Sequence, residues 1–245
     1  MIELSQVIIV AILILNSCHS YPDSKEEGLM ILIDRAYDVS TQTYSKEGVL
    51  TDMNIWYNGN LVVEEIRTIK ESRDSNGYKR ETPIAYYLFI DRKTKNFYHY
   101  SSFSDTARIL DKYTLPDDSV MRGLGGWPFY KDLIIDSVRE RQYLKDTVIN
   151  GITYKRILFS VKEDGKIFPT VRYLRCDKTG TLFSFNNSLR DKLGCPIVRI
   201  DYLPTTDNQR PNSSEIVFVR DKLSNEELKV FEAWKKNEKK YLVNK

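Results

Sequence analysis

The chain has 245 residues, 41% of them hydrophobic and 12% aromatic, with 37 Lys+Arg against 34 Asp+Glu and a formal charge of +3. That is enough apolar mass to bury a full core without metals or many disulfides, and it excludes a disordered, collagen-like or low-complexity chain. A nearly balanced charge with no concentrated basic stripe excludes a dedicated nucleic-acid binder.

Residues 7–15 read Val-Ile-Ile-Val-Ala-Ile-Leu-Ile-Leu, a run of nine apolar residues. A membrane-crossing helix takes about 20, whereas the apolar stretch of a secretory signal peptide takes about 7–15. Residues 1–6 carry no Lys or Arg, and Glu3 works against such a signal. The next four residues, Leu15-Asn16-Ser17-Cys18, resemble the lipobox of bacterial lipoproteins. The resemblance implies removal of 1–17 and acylation of Cys18, with 18–28 as lipid anchor and tether. Ordinary signal cleavage after Ser20 is a second reading, and a buried first strand is a third. The first two export the protein. The expected address is the bacterial cell envelope, as an outer-membrane lipoprotein held to the membrane through Cys18.

Residues 19–28 are polar and aperiodic, as a tether is. Residues 29–245 then read as one β-rich domain. Met30 to Ile33, with Tyr37 and Val39, suit a first strand or a short helix. Met53, Ile55 and Tyr57 alternate on one face, and Asn58-Gly59 follows. Asn-Gly is a strong hairpin signal, because a type I′ turn needs φ > 0 at both central residues. The pattern predicts strands at 51–57 and 61–69. A polar loop is expected at 71–82, then a hairpin of 84–91 with 97–103. Ser104-Asp105 before Ala107, Ile109 and Leu110 suits a short capped helix. The Gly-rich segment 123–129 is loop chemistry carrying Trp127 and Phe129.

Further strands are expected at 133–142, 152–161, 166–175, 181–186, 197–202 and 215–220. Ser224 with Glu227 three residues on is a capping box. Leu228, Phe231 and Trp234 recur on one face of the helix expected over 224–242. Many short strands at hairpin distances predict a mainly antiparallel α+β fold. The expected form is a curved half-barrel-like sheet with a short middle helix and a C-terminal amphipathic helix.

With Cys18 lipidated, Cys176 and Cys195 remain. Two cysteines of an exported domain can form one disulfide, worth about 3 kcal/mol for this loop length. The alternative is two buried thiols. Neither has the C-x-x-C spacing of a redox or zinc site.

Two longer runs carry a family resemblance. Asp52-Met-Asn-Ile-Trp-Tyr-Asn-Gly-Asn-Leu-Val-Val-Glu-Glu-Ile-Arg67 is an aromatic-Asn-Gly hairpin, and Lys145-Asp-Thr-Val-Ile-Asn-Gly-Ile-Thr-Tyr-Lys-Arg-Ile157 resembles the strand and turn opening a second half. Together they resemble the superfamily of outer-membrane lipoprotein carriers and receptors, and similar exported proteins of the Bacteroidetes. The resemblance implies a half-barrel closed by helices around an apolar cavity that holds acyl chains. A lipidated Cys18 implies a receptor-like or ligand-binding lipoprotein rather than a shuttle. Asp-Ser/Thr-small runs at Asp105, Asp118, Asp136 and Asp146 resemble Bacteroidetes O-glycosylation sites.

Catalytic and metal-binding patterns are thin. The two histidines are His19 in the tether and His99 in a Tyr-rich strand. No ligand spacing points to a metal, and no Gly-rich phosphate loop or nucleophile elbow points to a cofactor or a triad. His99 reads as structural or exposed. Trp56, Tyr86, Tyr100, Trp127 and Phe129 are the candidates to line an apolar pocket. The expected function is non-enzymatic binding of an apolar or acylated ligand, a lipid or an acylated protein. The alternative is an interaction or structural lipoprotein whose concavity its own side chains fill. An enzyme acting on glycan is the remaining reading.

Overall fold

The structure is a computed structural model describing residues 26–38, 40–44, 52–74, 77–114, 138–163, 166–178, 183–185, 187–204 and 212–243. The first half holds β1 (Glu27–Asp38), β2 (Thr43–Tyr44), β3 (Met53–Asn58), β4 (Leu61–Arg67), β5 (Lys70–Asp74), β6 (Gly77–Glu81), β7 (Ile84–Asp91), β8 (Asn96–Tyr100) and β9 (Ile109–Thr114). The second half holds β10 (Val138–Ile149), β11 (Ile152–Glu163), β12 (Lys166–Leu174), helix α1 (Asn187–Leu193), β13 (Ile197–Tyr202), β14 (Asn212–Arg220) and helix α2 (Asn225–Val243).

One open antiparallel sheet runs in the order β10-β11-β12-β13-β14-β1-β3-β4-β7-β8-β9, with β2 paired to β1. Two meanders therefore flank β1, which joins β14 on one side and β3 on the other. The half-barrel expectation holds: the sheet is curved and unclosed, and among the described residues β9 and β10 stand at its two ends. The first-strand reading of 29–39 also holds. β1 begins at Glu27, inside the segment read as tether. The signal segment, Cys18, Trp127 and Phe129 lie outside the described residues, as do the Asp118 and Asp136 glycosylation-like runs.

Four sequence expectations need correction. The first turn is Gly59-Asn60, with Asn58 the last residue of β3, and of the two only Gly59 has a positive φ, 60°. That matches a type II′ turn, where only the first central residue needs φ > 0. The polar stretch 71–82 is no loop but the β5–β6 ribbon, separate from the main sheet. Its pairs are charged, Lys70 with Glu81 and Glu71 with Arg80, so apolar alternation gives no signal there.

The helix expected from 104 is absent. Ser104 closes one turn, accepting from the Ala107 N–H at 3.2 Å, and β9 then pairs with β8. Strand pairing with a half-buried neighbour outweighs weak helix propensity. The short helix of this fold is α1 instead. Residues 183–185, expected as strand, are irregular, and the Phe185 N–H donates to the Ile197 carbonyl at 2.9 Å.

In the first half both faces of the sheet are buried. Ile55, Val62, Leu88 and Phe97 fill one face, in a cluster that reaches Val198 and Ile216 of the second half. Their chain neighbours Trp56, Val63, Phe89 and Tyr98 fill the other, under Val230, Phe231 and Trp234 of α2. In the second half Leu189 and Leu193 of α1 cover Ile157, Phe159, Leu174 and Ile197. Full burial of each such side chain stabilises by about 1.5–3 kcal/mol before entropy is counted.

The α2 start is the expected capping box. The Glu227 N–H donates to Ser224 Oγ at 3.3 Å, and the Ser224 N–H to Glu227 Oε2 at 2.7 Å. Cys176 and Cys195 form a disulfide, linking the turn after β12 to the approach to β13.

Candidate functional site

The described aromatic candidates do not share one pocket. Trp56 lies on the α2 side. Its ring stacks on Phe103 at 4.4 Å, and its indole N–H donates to Glu227 Oε1 at 2.7 Å. Tyr100 stacks face to face on Trp234, with centroids 3.8 Å apart and planes 2° apart. Trp234 in turn donates its indole N–H to the Ser104 carbonyl at 2.9 Å. Trp56 and Tyr100 thus belong to the packing that seats α2 on the sheet.

Tyr86 lies on the opposite face, and there the structure assembles a polar group. Strand alternation along β4 puts Val63 and Glu65 toward α2, and Val62, Glu64 and Ile66 the other way. Glu65 is paired, with Arg67 and with Asn54 Nδ2. Glu64 has 0% of its surface exposed, and neither carboxyl oxygen has a hydrogen-bond partner. It stands opposite Leu88 of β7 and Ile55 of β3. Tyr86, two residues before Leu88, shares that face.

The Tyr86 ring stacks on His99 at 4.2 Å with planes 23° apart. His99 Nε2 and the Tyr113 hydroxyl lie 3.1 Å apart. Tyr113 stacks on Phe97 at 5.4 Å. Four strands, β4, β7, β8 and β9, therefore bring Glu64, Tyr86, His99 and Tyr113 into one row, with Asp111 opposite His99.

Burial raises the Glu64 carboxyl well above the usual carboxylate range. Burial lowers the His99 imidazole, and Asp111 only partly opposes it. Burial also raises Tyr86, helped by the Glu64 charge. Tyr113 rises to about 12, through burial and then the charges of Tyr86, Asp111 and Glu64. Glu64, Tyr86, His99 and Tyr113 are all pushed toward their neutral forms. The row is an uncharged, hydrogen-bonding strip on an apolar sheet face. It offers polar contacts to a ligand's neutral groups, and no charged acid or base poised for catalysis.

Glu64, His99 and Tyr113 were not among the residues the sequence singled out. Glu64 sits in a Glu-Glu pair, and a sheet apolar on one face leaves one of the two in solvent. Only a sheet covered on both faces buries both. Glu64 and Glu65 between Val62-Val63 and Ile66 were the available signal.

Clefts of about 270 Å³ beside α2 (Leu61, Phe231 and Lys235) and 360 Å³ near the β10–β11 turn (Gly151, Ile152 and Asp177) lie away from this row. Among the described residues no group of three His, Cys, Asp or Glu side chains could hold a metal ion, and no helix is long and apolar enough to cross a membrane.

No protein-family model matches the chain, and no curated protein matches it. Among solved structures, the crystal structure of the Mycobacterium tuberculosis lipoprotein LppX is similar at a TM-score of 0.38 and 10% identity, over 91% of this chain and 100% of that one.

Proposed function

We propose that the protein is an exported lipoprotein of the bacterial envelope, anchored in the outer membrane through Cys18, that binds an apolar or acylated ligand without changing it chemically. The ligand contacts the sheet face bearing Glu64, Tyr86, His99 and Tyr113. Trp127 and Phe129, on their Gly-rich segment, are further candidates to line the site. Glu64 carries the ligand reading: a fully buried carboxyl without a partner, on an otherwise apolar face, is the group a ligand would complete. Native proteins seldom leave such a group unmatched without a reason.

A second reading is an interaction or structural lipoprotein without a ligand. The full burial of Val62, Leu88 and Phe97 by the protein's own side chains favours it.

The test uses the full chain made in a bacterial host. Metabolic labelling with an alkyne fatty acid should mark the wild type and leave Cys18→Ser unmarked. Illumination of the purified chain with a diazirine fatty acid should label peptides within 84–114. An unmarked wild type would overturn the anchor. Label confined to other peptides, or none above background, would overturn the ligand site in favour of the second reading.

A further inference from the structure

The side chains around Glu64 restrict which ligand fits. Ile55 of β3, Val62 and Ile66 of β4, and Leu88 of β7 surround it with hydrocarbon. The polar groups on this face are Tyr86 of β7, His99 of β8, and Tyr113 and Asp111 of β9. None of them is a Lys or Arg. An ionised Glu64 would therefore be a lone charge in an apolar setting, which is strongly unfavourable. Its neutral acid has one O–H to donate, and nothing in the protein accepts it. The His99 Nε2 beside it is already engaged with the Tyr113 hydroxyl. The missing partner is an acceptor oxygen that arrives on an apolar molecule.

We propose that Glu64 is the polar anchor of the ligand site, donating a hydrogen bond to the ester or amide carbonyl of an acyl ligand lying along β4, β7, β8 and β9. This rests on the ligand-binding reading above and narrows it to carbonyl-bearing acyl compounds. Free alkyl chains and ether lipids lack the acceptor. Tyr86 and His99, stacked on one another and only half-buried, form the side through which the carbonyl approaches.

The experiment measures binding of two uncharged probes to the full chain in detergent. They are 1,2-dioleoylglycerol and its dioleyl ether analogue, which differ in the two carbonyl groups. Wild type should prefer the ester by about tenfold, the size of one net hydrogen bond. Glu64→Gln keeps an N–H donor and should keep the preference. Glu64→Leu should bind both probes alike, with thermal unfolding reporting that it folds.

Equal binding of the two probes by wild type overturns the anchor and leaves the ligand-binding reading standing. Binding of neither probe overturns both. An ester preference that survives in Glu64→Leu, or disappears in Glu64→Gln, also overturns the donor role.

Discussion

Burying a carboxyl without a partner costs stability, and Glu64 is such a group. Replacing it with Leu, of similar size and matched to Val62 and Leu88, should stabilise the free protein by about 1–3 kcal/mol. Thermal unfolding of wild type and Glu64→Leu checks this, and a lower melting temperature would mean Glu64 supports the fold. The pH dependence follows in sign. The Glu64 pKa is raised in the folded state. The favourable contribution of its neutral form is complete below the usual Glu pKa and is lost as pH rises through the raised value. Glu64→Gln should remove that loss.

Asp91 behaves in the opposite sense. Burial works against its carboxylate, but the Lys235 ion pair and the Lys93 and Thr94 N–H groups more than offset this, holding it below its usual range. Its stabilisation is present at neutral pH and is lost as pH falls through the lowered value. Lys235 also reaches Glu238 at 2.7 Å, and Thr94 and Asn96 donate to Glu238 as well. Lys235→Met should destabilise by about 1–3 kcal/mol in a thermal melt, a figure discounted for the lysine's partial exposure.

At the scale of elements, legibility followed apolar periodicity. Strands β3, β4, β7, β8, β11 and β13 stood out because apolar residues fill their registers, and α2 because its cap and apolar stripe agree. The β5–β6 ribbon escaped because charge pairs hold it. The end of β10 escaped because Lys145 and Asp146 interrupt it before the turn at Asn150-Gly151, whose φ values are 51° and 77°. The 104–110 segment misled because a Ser-capped turn reads like a helix start until a neighbouring strand competes for it. The aromatic candidates were legible as residues but not by face: Trp56 and Tyr100 pack under α2, and Tyr86 faces away. Ser224→Ala should cost about 1 kcal/mol by removing the α2 cap. Opening the Cys176–Cys195 bridge, as the double Ser variant, should cost about 3 kcal/mol. Denaturant midpoints check both.

For the whole molecule, β1 is the keystone, because it alone joins the two meanders. Gly28 sits where a Cβ would come within 2.3 Å of the Arg220 carbonyl of β14 and 2.7 Å of the Tyr57 hydroxyl. Gly28→Ala should therefore loosen the junction itself, which hydrogen exchange across β1 and β14 would register. The same strand starts nine positions after Cys18. With Cys18 acylated, that span reaches at most about 30 Å, so the sheet would stand close to the membrane that supplies its ligand.

Native mass spectrometry of the full chain, released gently from detergent, tests the central claim most directly. The account predicts a population heavier than the covalent protein by the mass of a non-covalent acyl compound, removed at higher collision energy. A spectrum holding only the covalent mass, under conditions that preserve the fold, would contradict it and leave a filled interaction module in its place.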